Sequence, residues 1–293
     1  MHEGELMKKN SKILLIIMVV VAVAMISGHF IYSYSSKRGQ SIPVLMFHHI
    51  AQEGNGGAVL AYDHFKEDIT ALHNAGFNTI TIKQLIDYVE NGTALPSKAI
   101  LITFDDGYTS NLELAAPILE EYGMNATIFV IGIDAGETIS PVTGQELSPP
   151  YFALKDAKPF IDSGVLAIQS HTYNMHGEPA DGYSVRKGVM PYDKEDKEEY
   201  KSAFENDISL MKEKLKNELG VDLYAMAYPY GLACKESESI SESMGIKVTF
   251  TTQYGTNYVR VGEPETIRLM KRIGVGDDFT GESLVARLNK LMK

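Results

Sequence analysis

Short apolar runs alternate with longer stretches in which apolar and charged positions recur at helical spacing, and the alternation continues from about residue 41 to the end of the chain. Runs that read as strands lie at 43–47, 79–82, 99–104, 126–131, 165–169, 224–228, 247–252 and 270–275. Between them HFKEDITALHNAG, SNLELAAPILEEYG and FENDISLMKEKLKNELG read as amphipathic helices, each closed by glycine. Strands that are apolar throughout and separated by helices are buried on both faces. The pattern therefore predicts an α/β fold with a parallel sheet, open or closed into a barrel.

Two segments depart from this rhythm. Residues 132–150 (GIDAGETISPVTGQELSPP) form an irregular Gly/Pro-rich insertion after a strand, the kind of segment that walls a binding cleft. The run PYDKEDKEEYKSAFEND mixes charges at helical spacing and reads as a solvated face.

The amino terminus has a different composition. Residues 13–32, ILLIIMVVVAVAMISGHFIY, are long enough at about 1.5 Å per residue to cross a bilayer core. Lys8, Lys9 and Lys12 precede the run and favour an inside amino terminus with an exported remainder, although Lys37 and Arg38 weaken the asymmetry. The expected organisation is a cytoplasmic 1–12, a transmembrane anchor or signal segment at 13–32, a polar linker at 33–40 and one large domain at 41–293. An uncleaved single-pass anchor in the cell membrane is favoured over secretion after signal cleavage. The apolar region exceeds the usual signal core, and no clear A-x-A site follows it.

Charge and cysteine content narrow the chemistry. A net charge of -11 without a basic stripe argues against nucleic acid as a partner. The single cysteine, Cys234, excludes an internal disulfide, thiolate-rich zinc sites and CxxC redox chemistry. Any metal would be held by histidines and carboxylates.

Polar clusters fall where the strand candidates end. PVLMF leads to His48-His49, AILITF to Asp105-Asp106-Gly107, VLAIQ to Ser170-His171 and YAMAY to Pro229-Tyr230-Gly231. In barrel-like α/β folds active sites gather at the carboxyl ends of strands. Side chains alternate along a strand, so two adjacent carboxylates point apart and can serve different tasks, one binding metal while its neighbour moves a proton. A bare Asp-Asp-Gly is more often a helix cap or a turn, and only its place behind an apolar strand raises it above that reading. His171 and His176 stand five apart, about 140° from each other on a helix, so a helix is the wrong scaffold for a shared ion and a turning loop the right one. With an aspartate they make a set suited to Zn²⁺ with an open position for water.

TFDDG, SHTYNMH and YPYG together resemble the polysaccharide deacetylases of carbohydrate esterase family 4, the NodB-homology enzymes, over residues 42–275. The histidine spacing of five resembles the branch that deacetylates poly-N-acetylglucosamine in biofilm matrix. The resemblance implies a deformed parallel (β/α) barrel, circularly permuted. It implies a metal-dependent N-deacetylase acting on N-acetylglucosamine units of an extracellular or cell-wall polysaccharide, poly-N-acetylglucosamine first and peptidoglycan next. By the same resemblance Asp105 matches the general base, Asp106, His171 and His176 match the metal ligands, His48 matches the catalytic acid, and Tyr230 matches the residue whose backbone N–H holds the oxyanion. His49, on the opposite side of the strand by alternation, ranks below His48. The metal implied is divalent, Zn²⁺ first, with Co²⁺, Ni²⁺ or Mn²⁺ as alternatives.

Two departures stand out. Ala227 occupies the place where the wider family carries an arginine, with Arg272 as the candidate substitute, and no histidine follows His176. Sugar-binding walls are expected in 132–150 and 177–193, with Tyr151 and Tyr183 as candidate platforms because the chain has no tryptophan. The alternatives are a catalytically silent carbohydrate-binding surface protein and a metallohydrolase acting on another bond.

Overall fold

The computed structural model describes residues 39–292, together with Ile17, Met18 and Val20. Most of the expected membrane segment at 13–32 lies outside the described residues, and among those described no helix is long and apolar enough to cross a membrane. Residues Ser41–Lys293 form one compact unit.

In chain order the strands are β1 (Gln40–Ile42), β2 (Val44–Phe47), β3 (His49–Ala51), β4 (Val59–Ala61), β5 (Asn78–Thr79), β6 (Ala99–Asp106), β7 (Ala126–Val130), β8 (Leu166–Ser170), β9 (Ala225–Ala227), β10 (Val248–Phe250), β11 (Asn257–Val259) and β12 (Ile273–Gly274). The helices are α1 (Tyr62–Asn74), α2 (Ile82–Asn91), α3 (Ala116–Glu121), α4 (Lys158–Asp162), α5 (Lys197–Leu219), α6 (Lys235–Ser243) and α7 (Gly281–Leu291). The main sheet runs β10-β9-β8-β7-β6-β2-β12 with β5 also on β6, and every pairing in it is parallel.

The sheet curls until its edges meet. Met270 bridges Phe250, its N–H donating to Thr249 O at 2.8 Å and its carbonyl accepting from Thr251 N at 2.9 Å, while β12 a few residues on pairs with β2. One segment near the carboxyl terminus thus touches both edges. It also carries Arg272 into the interior.

Alternation along β6 divides the core. Ala99 and Leu101 face inward with Val44, Phe129, Ala227 and Phe250, whereas Ile100, Ile102 and Phe104 face outward against α1, α3 and neighbouring helices. Helix α1 presents Phe65, Ile69 and Leu72 to that outer layer at the i, i+4, i+7 spacing its sequence shows. Each of these side chains contributes roughly 1.5–3 kcal/mol on burial.

The strand candidates are recovered with shifted ends. The run at 79–82 is cut short because Thr81 caps α2 instead, in a reciprocal capping box with Gln84. The run at 99–104 extends through Asp106, so both carboxylates lie on the strand and not beyond it. SNLELAAPILEEYG begins as a wide turn over Asn111–Ala115 before α3. Helix α5 starts earlier than its apolar pattern, at Lys197, capped by Asp196, whose side chain accepts from Glu198 N and Glu199 N.

Candidate active site

Register brings the polar clusters to one rim. Phe47 pairs with Phe104, Asp106 with Val130, Val130 with Ser170 and Ser170 with Met226, so the ends of β2, β6, β7, β8 and β9 stand side by side. At the end of β6, Asp106 takes φ 74° and Gly107 φ 94°, which turns the chain away from the sheet. A Cβ on Gly107 would stand 2.9 Å from Val130 Cγ1, so the turn needs glycine.

Asp105 keeps the inward phase of Leu101 and is gripped by Arg272, whose two terminal nitrogens each lie 2.6 Å from a different carboxylate oxygen. Arg272 is fully buried, donates Nε–H to Thr251 O at 2.8 Å and has its guanidinium over the Phe129 ring. Burial alone would raise the Asp105 pKa, but the Arg272 guanidinium together with the imidazoles of His171 and His48 outweighs it and holds the carboxyl below its usual range. His48, just beyond β2, brings Nε2 to 3.9 Å from Asp105 Oδ2, and Asn111 Nδ2 donates to its carbonyl at 2.7 Å. His49 turns the other way, its Nδ1 2.8 Å from Ser110 Oγ, as strand alternation predicts.

Asp106, His171 and His176 converge: one donor atom from each lies within 4.8 Å of the others. His171 Nε2 is 3.5 Å and His176 Nε2 3.3 Å from Asp106 Oδ1. That oxygen is buried and has no hydrogen-bond partner among the described residues, the condition of a ligand atom awaiting a cation. His171 Nδ1 lies 2.8 Å from Ala227 O; a carbonyl only accepts, so Nδ1 carries the proton and Nε2 keeps its lone pair toward Asp106. Burial also pushes the His171 pKa down to about 4, leaving a neutral imidazole. Burial pushes Asp106 up, but the imidazoles beside it prevail and keep it ionised. The donor set thus fits a divalent cation with N/O ligands.

Tyr230 sits in the turn after β9 at φ 59°, ψ 8°, an uncommon conformation for a non-glycine residue. Its hydroxyl donates to His176 O at 2.8 Å, and its ring lies 5.2 Å from that of His176. Ala227 supplies a backbone carbonyl to His171, and the cation on Asp105 comes from Arg272 on the far side of the curl.

A cavity of about 270 Å³ opens beside His176, lined among others by Tyr108, Asp134, Tyr151 and Tyr183. Residues from 132–150 supply much of its wall. Tyr183 stands on the other expected segment, and both platform candidates reach the cavity. Burial and the Asp106 carboxylate push the Tyr108 and Tyr151 hydroxyl pKa values upward.

Asp207 is absent from the sequence-derived site. It lies on α5, 5% exposed, its carboxylate accepting from Tyr173 N at 2.8 Å and Asn174 N at 2.7 Å, and burial pushes its pKa up to about 6. A signal existed: Asp207 falls three positions after Phe204 and four before Met211, on the apolar stripe where a carboxylate needs a buried partner.

Carboxylates and imidazoles gathered at the carboxyl rim of a curled parallel sheet make a centre suited to acid–base and metal chemistry. Residues 92–249 match the profile of the polysaccharide deacetylase family, a span that includes Asp105, Asp106, His171, His176 and Tyr230 but not His48 or Arg272. YxkH of Bacillus subtilis, provisionally named a polysaccharide deacetylase, is 25% identical over 87% of this chain and 79% of its own length. The poly-β-1,6-N-acetyl-D-glucosamine N-deacetylases of Escherichia coli K12 and Staphylococcus epidermidis are 27% and 29% identical over 65% and 64% of this chain. The chain spans only 30% and 60% of those two relatives. Among solved structures, IcaB from Ammonifex degensii superimposes with a TM-score of 0.69 over 86% of this chain and 98% of its own, at 23% identity, which speaks to the fold. The chain belongs to the polysaccharide deacetylase family and is an enzyme of that class, a hydrolase of N-acetyl amide bonds.

Proposed function

We propose that the protein is a metal-dependent N-deacetylase of N-acetylglucosamine units in an extracellular or cell-wall polysaccharide, with poly-N-acetylglucosamine the favoured substrate and peptidoglycan next. The observation that carries the reading is the convergence of Asp106, His171 and His176 on one point, beside the Asp105–Arg272 pair and His48. The relatives named for poly-β-1,6-N-acetyl-D-glucosamine support the choice of glycan.

Asp106, His171 and His176 would hold the cation, Zn²⁺ first among Zn²⁺, Co²⁺, Ni²⁺ and Mn²⁺. Bound there, it would polarise the acetyl oxygen and make water more acidic. Asp105, kept ionised by Arg272, accepts the proton of the attacking water. Arg272 fixes both carboxylate oxygens, so the base cannot rotate out of line. As water adds to the carbonyl carbon, the Tyr230 N–H stabilises the oxyanion, a donor of a kind worth roughly 2.7–4 kcal/mol. His48 protonates the sugar nitrogen as the C–N bond breaks, releasing acetate and an amine that then takes up a proton. The 270 Å³ cavity, with Tyr151 and Tyr183 on its wall, takes the neighbouring sugars.

Residues 41–293 are the catalytic domain in this reading. Residues 13–32 anchor it to the membrane with the domain outside, where the polymer lies.

Acetate release from β-1,6-N-acetylglucosamine oligomers, peptidoglycan and chitin oligomers, with and without chelator, tests the reading. The expected result is chelator-sensitive release, greatest on the β-1,6 oligomers and lost in Asp105→Asn and His48→Ala. Zinc-loaded protein that releases no acetate from any of the three would overturn it in favour of a binding protein or another hydrolase.

A further inference from the structure

The loop from His171 to His176 must bend sharply for two imidazoles five residues apart to face one carboxylate, and its backbone is tied from Thr172 through Met175. Thr172 N donates to Ser170 Oγ at 2.9 Å, Tyr173 N and Asn174 N to Asp207 at 2.8 and 2.7 Å, and Met175 N to Thr172 Oγ1 at 3.1 Å. On its other side the loop is held by Gly132 N and Ile133 N, which donate to the carbonyls of Thr172 and Tyr173 at 3.0 and 2.8 Å. Thr172 itself adopts φ 73°, a conformation that persists in a non-glycine residue only when its surroundings impose it.

Among the described residues, Asp207 is the one contributor to this clamp that comes from a distant helix. Its neighbours on α5, Phe204, Ile208 and Met211, are fully buried, so the carboxylate is locked against the core and cannot follow the loop if the loop moves. Arg186, the cation that acts on it, is engaged with Glu195. A buried carboxylate without a paired cation is costly, and two amide donors are its compensation.

We propose that Asp207 is a positioning residue for the metal triad: by fixing the Tyr173 and Asn174 N–H groups it sets the curvature that lets His171 and His176 meet Asp106. The inference rests on the reading of that triad as a metal site. It assigns Asp207 no contact with substrate or metal. Asp207 acts by paying in advance the entropy of ordering the ligand loop.

The near-isosteric Asp207→Asn tests it, because an amide keeps one acceptor and turns an N–H donor toward the second loop amide. Zinc affinity is measured by competition with a chromophoric chelator, and exchange of the Tyr173 and Asn174 amides by NMR, in zinc-free and zinc-loaded protein. The expected result is zinc affinity weaker by about 10- to 100-fold, faster exchange at those two amides and, without zinc, a melting temperature lowered by only a few degrees. Equal zinc affinity and equal exchange in variant and wild type would overturn the proposal. The wild type supplies a second reading that does not depend on the variant folding. Its two amides should be protected before zinc is added, and protection appearing only with zinc would refute the positioning role. Wild-type protein that binds no zinc would instead defeat the metal reading, a different result from binding that Asp207→Asn leaves intact.

Discussion

Arg272 and Asp105 stand 167 residues apart in the chain and meet through two hydrogen bonds of 2.6 Å in the buried interior of the sheet. Breaking such a pair leaves the other charge buried alone, at a cost of roughly 3–5 kcal/mol. Arg272→Met should therefore lower the melting temperature substantially, and the double variant Arg272→Met/Asp105→Asn should recover much of the loss. Thermal unfolding of the three proteins checks this.

The same pair governs pH dependence. Arg272 depresses the Asp105 pKa, so removing the guanidinium raises it. A base is lost as pH falls through its pKa, so the acid limb of kcat/KM in Arg272→Lys or Arg272→Met should move to higher pH. A pH–rate profile in which the acid limb stays put would disprove this control of Asp105.

His48 and His49 make a contrast between neighbours. His48→Ala removes the group 3.9 Å from Asp105 and should lower kcat by about 10²–10⁴-fold, the usual range for a lost general acid. His49→Ala breaks a hydrogen bond with Ser110, worth about 1 kcal/mol, and an edge contact with the Tyr108 ring, and should leave kcat close to wild type. Steady-state kinetics on one acetylated oligomer compares them.

Zinc should raise the melting temperature in a concentration-dependent way, by an amount equivalent to about 2.7 kcal/mol at a hundredfold excess over Kd. His171→Ala and His176→Ala should abolish the shift while remaining folded. The shift should also shrink as pH falls, because protonated imidazole cannot ligate. Differential scanning calorimetry across a zinc series provides the measurement.

Asp68 on α1 is 1% exposed, and neither of its carboxylate oxygens has a hydrogen-bond partner among the described residues. Burial, with Glu67 adding to it, pushes its pKa up to about 7, above the 3.8 of the unfolded chain. The folded state therefore binds the extra proton between those values, and this group's contribution makes stability rise as pH drops from about 8 toward 4. Asp68→Asn should raise the melting temperature at pH 8 by several degrees and by much less at pH 5. An equal effect at both values would show that the carboxyl titrates normally.

Much of the fold and most of the site were legible along the chain, because they depend on residues close in sequence. Apolar runs of five or six residues ending in polar clusters locate strands and their rims, since a buried parallel strand must be apolar on both faces and its end is where polar groups reach solvent. His171 and His176 could be assigned to a loop because their spacing excludes a helix and an apolar strand run ends just before them. Strand boundaries were less legible: Thr81 caps a helix where β propensity extends the strand, and Asp105 and Asp106 remain on β6 because its neighbour β7 pairs with them.

What the chain order could not supply is who meets whom across the curl. The order and spacing of residues were enough for a parallel α/β architecture, for carboxylates and histidines at strand ends, and for the divergence of His48 from His49, all consequences of local periodicity. Only the tertiary structure decided that Arg272 reaches Asp105, that Ala227 gives a carbonyl to His171, and that Asp207 on α5 holds the histidine loop. Those contacts are set by how far the sheet curls and by the register of strands and helices remote in sequence. Packing of the whole core fixes those quantities, and no single segment encodes them.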